Sequence, residues 1–240
     1  MTPLLSTALL CCLGLALGLG ACTTRTGSDS RGESRFDPRA IAKSDIDRVA
    51  EANQREVVAG LHRLTDKLYR RNPREWKKVG VASHEAAVTR IFLPGAVWPE
   101  LGGKTDIQAV QLAFRDDYQG DRVLALMAGL LGMVQAAFDY KTNFYVIDSL
   151  DPQKLYNCAR NLEIVAWKLN NARNLESELF ILSNELDHAN RNLSFEREIG
   201  RLVGLLDFLS LVIADKSGRN VNRVVQNLAT AVFLPVVALK

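Results

Sequence analysis

The groups in this chain that could do chemistry are few and scattered. Gly102-Gly103-Lys104-Thr105 has the ending of a phosphate-binding loop, in which backbone N–H groups cradle phosphate and the lysine reaches the outer oxygens. The full pattern also needs a glycine five residues before Gly103. Trp98 stands there, followed by Pro99, which has no N–H to give, so a loop simply rich in glycine accounts for the run. The histidines are His62, His84 and His188, and His84-Glu85 lacks the second histidine that a zinc-protease helix requires. Glu185 and His188 have the i, i+3 spacing of di-iron bundles, but such sites use two pairs and only one is present, which fits a solvated polar face. Asp116, Asp117, Gln119 and Asp121 form an acidic run. A calcium loop counted from Asp116 would want glycine where Asp121 stands and glutamate where Met127 stands; helix capping explains the acids better. No Gly-x-Ser-x-Gly elbow occurs, and Cys158 has no nearby histidine base, which makes it a buried structural thiol. The sequence therefore leads us to expect no catalytic residue, no metal and no cofactor.

The most suggestive surface feature is the basic run Lys67, Arg70, Arg71, Arg74, Lys77 and Lys78, interleaved with Tyr69 and Trp76. Residues 23–78 carry 14 basic and 9 acidic side chains, whereas residues 79–240 carry 16 and 18. Such a run could rest on an anionic surface, lipid or lipopolysaccharide phosphates, at ~1 kcal/mol per cation. The competing reading is that Lys67, Arg70 and Arg71 complement the negative end of a helix.

With 240 residues, 48% of them hydrophobic and 24% charged, the chain can bury a sizeable core and is not disordered. A net charge of +3 is too small to argue for a nucleic-acid partner, and none is expected. Three of the four cysteines fall in the first 22 residues, which argues against a disulfide scaffold.

From Leu4 to Ala21 the chain is apolar or small and uncharged, and it ends on Leu19-Gly20-Ala21-Cys22 before the polar stretch Thr23-Thr24-Arg25-Thr26-Gly27-Ser28. This resembles the lipobox signal of bacterial lipoprotein precursors, over residues 1–22 only. A plain secretory signal and a signal anchor are the alternatives. The resemblance implies cleavage after Ala21, with Leu19, Gly20 and Ala21 read by the peptidase, and acylation of the Cys22 thiol. Because Thr23 rather than an aspartate follows, it also implies delivery to the outer membrane. Residues 1–21 would then be removed, residues 22–43 would be a lipidated cysteine and flexible tether, and residues 44–240 a single helical domain.

The apolar spacing in 44–240 is helical. Ser44 or Asp45 can cap a helix carrying Val49, Val57, Leu61, Leu64 and Leu68, which should stop at Asn72-Pro73. Ser83 caps a segment to about Phe92, an irregular loop covers 94–105, and Asp106 opens a short helix bearing Ile107, Val110 and Phe114. Val123 to Phe138 is too short to span a bilayer and reads as the central buried helix, with Gly129 and Gly132 allowing close approach by a neighbour. Phe144 to Ile147 is the one credible strand. Asp151-Pro152 opens a helix with the stripe Leu155, Ala159, Leu162, Ala166 and Leu169. Further helices are expected over Leu175–Leu193, over Ile199–Ile213 with a stop at Ser217-Gly218, and over Val221–Phe233. The expectation is an all-α bundle of roughly six to eight helices.

Taken together, the sequence points to a lipid-anchored envelope protein on the periplasmic side of the outer membrane. Its role would be non-enzymatic binding or scaffolding of an envelope protein partner. A carrier of an apolar or lipid ligand in the bundle core is one alternative, and an envelope enzyme with a dispersed site is another.

Overall fold

The computed structural model describes residues 43–185 and 191–237; the residues expected to form a lipobox and a tether, up to residue 42, and His188 lie outside them. Among the described residues the chain is all-α, with seven helices: α1 (Asp45–Arg71), α2 (Pro73–Lys78), α3 (His84–Phe92), α4 (Asp106–Leu112), α5 (Arg122–Ala137), α6 (Pro152–Asn171) and α7 (Ser194–Ser217). A 3-10 turn, Pro99–Leu101, interrupts the loop before α4. No helix among the described residues is long and apolar enough to cross a membrane.

Local chemistry sets the helix ends. Ser44 Oγ accepts from the Asp47 N–H at 3.2 Å while Asp47 Oδ2 accepts from the Ser44 N–H at 2.8 Å, a reciprocal capping box at the start of α1. α1 then buries Val57, Leu61, Leu64 and Leu68 and stops at Asn72, after which Pro73 opens α2. Asp121 and Asp151 cap α5 and α6 by accepting from the N–H groups of Leu124 and Gln153, both at 2.9 Å. Gly218, at φ 62°, ends α7 in the left-handed conformation, as expected of a glycine there.

α5 is the axis of the core, with thirteen of its sixteen residues buried. Each fully buried Leu, Val or Met contributes about 1.5–3 kcal/mol, so this helix is held by packing rather than by helix propensity. Gly129 and Gly132 do what their spacing suggests. A Cβ on Gly129 would lie 2.6 Å from the Asp106 carbonyl oxygen, and one on Gly132 would lie 2.5 Å from Asp106 Oδ1. The start of α4 therefore sits directly on the α5 backbone.

Three expectations are corrected. Phe144–Ile147 is a turn, not a strand: the Asp148 carboxylate accepts from the Tyr145 N–H at 2.9 Å and Glu51 accepts from the Phe144 N–H at 2.9 Å. Carboxylates thus take the backbone donors that a missing partner strand would have taken, and Ile147 is left 93% exposed.

The described part of Leu175–Leu193 is not a helix either. Asn174 Oδ1 accepts from the N–H groups of Glu176 and Glu178, and the Asn174 N–H donates to Glu178 O, which closes a tight turn. Asparagine side chains offer the backbone an alternative to the helix here, and Leu175 ends up 89% exposed.

Val221–Phe233, finally, is an irregular segment laid along α6. Its β-branched valines favour extended backbone, and side chains of α6 satisfy its main chain.

Candidate functional site

Two places in the fold gather polar groups in a way that packing alone does not require. The first is a cavity of about 260 Å³ beside α5, walled by Ile91, Leu93, Trp98, Ala128, Leu131 and Tyr140 and carrying Lys104, Thr105 and Asp106. Asp106 is its chemical centre. Gly129 admits its main-chain carbonyl and Gly132 its carboxylate, and the one hydrogen bond to that carboxylate among the described residues is from the Thr105 hydroxyl at 3.1 Å. Burial holds its pKa above the ordinary carboxylate range, against the opposing effect of that hydrogen bond. Its backbone has φ 49°, and across the cavity Tyr140 has φ 58° and its neighbour Asp139 φ 52°. Left-handed backbone at non-glycine residues is uncommon and costs energy, and it collects at binding and catalytic sites. The Trp98 indole Nε1 is buried without an acceptor. Tyr140 is pushed up by burial and by the nearby Asp106 charge, and the buried Cys158 thiol is pushed up to about 12 by the same two causes.

The second place is the face of α6 that holds residues 219–237. Asn161 pairs with both main-chain groups of Leu234, donating to its oxygen at 2.8 Å and accepting from its N–H at 2.7 Å. Gln153 does the same to Asn222, at 3.1 and 2.8 Å. The Tyr156 hydroxyl sits between the N–H and carbonyl of Val224, and Asn157 donates to Pro235 O at 2.7 Å. Between these feet the chain makes a loop braced internally by Gln226, which pairs with both main-chain groups of Val232. The loop carries apolar side chains outward, with Val225 99% and Val232 72% exposed.

The basic run is divided among several tasks. Arg70 pairs with Asp66, Arg71 with Glu185 at 2.7 Å, and Lys78 with Glu75 at 2.7 Å. Lys67 lies 4.5 Å from the centre of the Phe195 ring and Lys77 5.4 Å from that of Trp76. Arg71 and Arg74 share the wall of a polar groove with Arg122, a residue the sequence reading did not single out. The run ends α1 and fills α2, so it lies at the far end of a 27-residue helix, ~40 Å, from Ser44.

The remaining candidates settle into structural positions. His62 packs on the Phe92 ring, with centroids 5.0 Å apart, and His84 Nε2 lies 3.4 Å from Asp66. Asp117 pairs with Arg115, Asp116 accepts from the Leu175 N–H, and no metal-binding group of three acids, histidines or cysteines exists among the described residues. Asp121 is buried and accepts from the Tyr69 hydroxyl at 2.8 Å, while Glu75 accepts from the Arg122 N–H at 2.7 Å. Burial, with a contribution from the Glu75 charge, raises Asp121 to about 6 even though hydrogen bonds from Leu124 and Tyr69 oppose it. Cys158 is buried, as a structural thiol should be.

No family model, curated protein or solved structure matches the chain.

Sequence reasoning missed Asp106 as a site residue and treated it as a helix start. Its signal was indirect: two glycines on the most apolar helix, and a Gly-Gly pair just before the acid.

Proposed function

We propose that this chain is a lipid-anchored cell-envelope protein, acylated at Cys22 after cleavage behind Leu19-Gly20-Ala21, which binds or scaffolds a protein partner on the periplasmic side of the outer membrane. The anchor rests on the resemblance of residues 1–22 to a lipobox signal. The observation that carries a binding role is the 222–234 loop. Its two feet are fixed to α6 by paired hydrogen bonds, and its tip offers Val225 and Val232 to solvent. A braced loop that displays apolar side chains from a rigid helix is how scaffolds present a docking surface, since exposed apolar groups gain by burial against a partner.

The anchoring geometry is compatible with this role. Twenty-two residues from Cys22 to Lys43 reach at most about 75 Å when extended, so the domain can stand clear of the membrane.

Two experiments test the reading. Cys22→Ser should leave the fold intact and release the protein from the membrane fraction or trap its precursor; unchanged membrane attachment would contradict lipidation. A photo-crosslinker in place of Val225 should yield a discrete adduct in the native envelope, lost in Val232→Asp; no adduct would count against the loop as the docking surface.

The alternative of a carrier for an apolar ligand fits less well. Among the described residues α5 is wrapped in side chains, and the cavity beside it is smaller than the ~300–1,000 Å³ of pockets for drug-sized ligands.

A further inference from the structure

We propose that the cavity beside α5 binds a small organic ammonium ion, with Asp106 as counter-ion and Trp98 and Tyr140 as aromatic walls. A half-buried carboxylate normally has a cation or several donors around it. Asp106 has neither: among the described residues no lysine, arginine or histidine pairs with it, and the Thr105 hydroxyl is its one hydrogen-bond donor. Its approach is not accidental packing, because two glycines of the central helix are spent on admitting it and its own backbone is held left-handed to place it there.

The rest of the cavity suits an ammonium ion. Tryptophan and tyrosine rings attract cations through their negative faces, and Trp98 and Tyr140 line the same cavity as the carboxylate. The Trp98 N–H, buried without an acceptor, would take an oxygen carried on the same ligand. The cavity, about 260 Å³, suits a free amine or amino alcohol rather than a lipid with its tails. Lys104, also on the wall, forms no ion pair with Asp106 but repels any cation there, a second positive charge most of all, so the ammonium ion binds weakly.

The test is calorimetric titration of the full chain in detergent with n-butylammonium chloride, and with neutral 1-butanol as the isosteric control. Saturable binding of the ammonium ion is expected, weakened at least tenfold in Asp106→Asn while 1-butanol binding is unchanged. Asparagine tolerates the left-handed backbone of position 106, so the variant should fold. Tyr140→Asn gives an independent reading: it keeps the backbone of an exposed position, removes one ring and should weaken the ammonium ion about threefold. No saturable binding to the native chain would overturn the proposal, and so would equal ammonium affinity in both variants and the native protein.

Discussion

Asn161, fully buried in the middle of α6, forms two hydrogen bonds with a single distant residue, Leu234, through its carbonyl oxygen and its N–H. Gln153 treats Asn222 in the same way, and Asn72 at the end of α1 likewise pairs with both main-chain groups of Leu182, each at 2.8 Å. A side-chain amide has N–H donors and a carbonyl acceptor side by side, so it can stand in for a neighbouring strand. These pairings hold two long irregular segments where, among the described residues, there is no sheet to hold them.

Asn161→Ala should therefore free residues 219–237 rather than unfold the bundle. Losing both hydrogen bonds and leaving the Leu234 groups partly buried costs about 1–3 kcal/mol. Limited proteolysis should cut within 219–237 at a much increased rate while helical circular dichroism stays unchanged, because that segment is not helical. A cleavage rate equal to that of the native protein would contradict the role given to Asn161.

Glycine-to-alanine changes should split by position. At Gly129 the new methyl would meet the fixed Asp106 carbonyl at 2.6 Å, so Gly129→Ala should cost about 1–3 kcal/mol. Gly200 and Gly204 on α7 have open space at the same atom, so alanine there should stabilise by about 0.5–1 kcal/mol each through helix propensity. Urea denaturation decides it, and the same sign at both kinds of position would refute the packing described for α4 on α5.

Much of this fold was legible because its signals are local. Ser44, Ser83, Asp121 and Asp151 announce helix starts, and Leu155 to Leu169 repeats at helical spacing along a single buried face. The misses share a cause. Leu175 to Leu193 has leucine spacing suited to a helix, yet Asn174 turns the chain on itself and Asn72, more than a hundred residues earlier, pins Leu182. Val221 to Phe233 is set by Gln153 and Asn161, again far away in sequence. No window of neighbouring residues contains these partners. The Asp106 cavity was hidden for a related reason: the backbone conformation that places its carboxylate depends on α5, not on its own flanks.

Acidity should act on stability through Asp121. Tyr69 from α1, Glu75 from α2 and Tyr118 from the preceding loop face it, with Lys78 and Arg122 bound to Glu75. Its carboxyl is raised to about 6 in the fold against 3.8 when free, so the folded state holds this proton more tightly than the unfolded chain does. The contribution is fully present below about pH 4 and is lost as pH rises to 6. At about 1.4 kcal/mol per pKa unit it is on the order of 2–3 kcal/mol. Asp47, Glu51 and Asp148 are lowered by their partners and oppose it at the acidic end. Asp121→Asn keeps a capping side chain and should remove this decline between pH 4 and 6, measured by urea melts at fixed pH. An unchanged pH profile would show that Asp121 does not titrate in this range.

Replacing Arg74 and Lys77 together with alanine should leave stability unchanged, since both are exposed and neither belongs to the Glu75–Lys78–Arg122 cluster. Co-sedimentation with anionic vesicles should fall about thirtyfold if the basic run meets acidic surfaces, at ~1 kcal/mol per cation. Equal sedimentation would make the run purely structural.

The proposed lipid tether at Cys22 is tested by the intact mass of the protein extracted from membranes of its native host. A chain beginning at Cys22 that carries the added mass of its acyl groups is expected. A chain that retains residues 1–21, or one that begins at Cys22 without added mass, would contradict it.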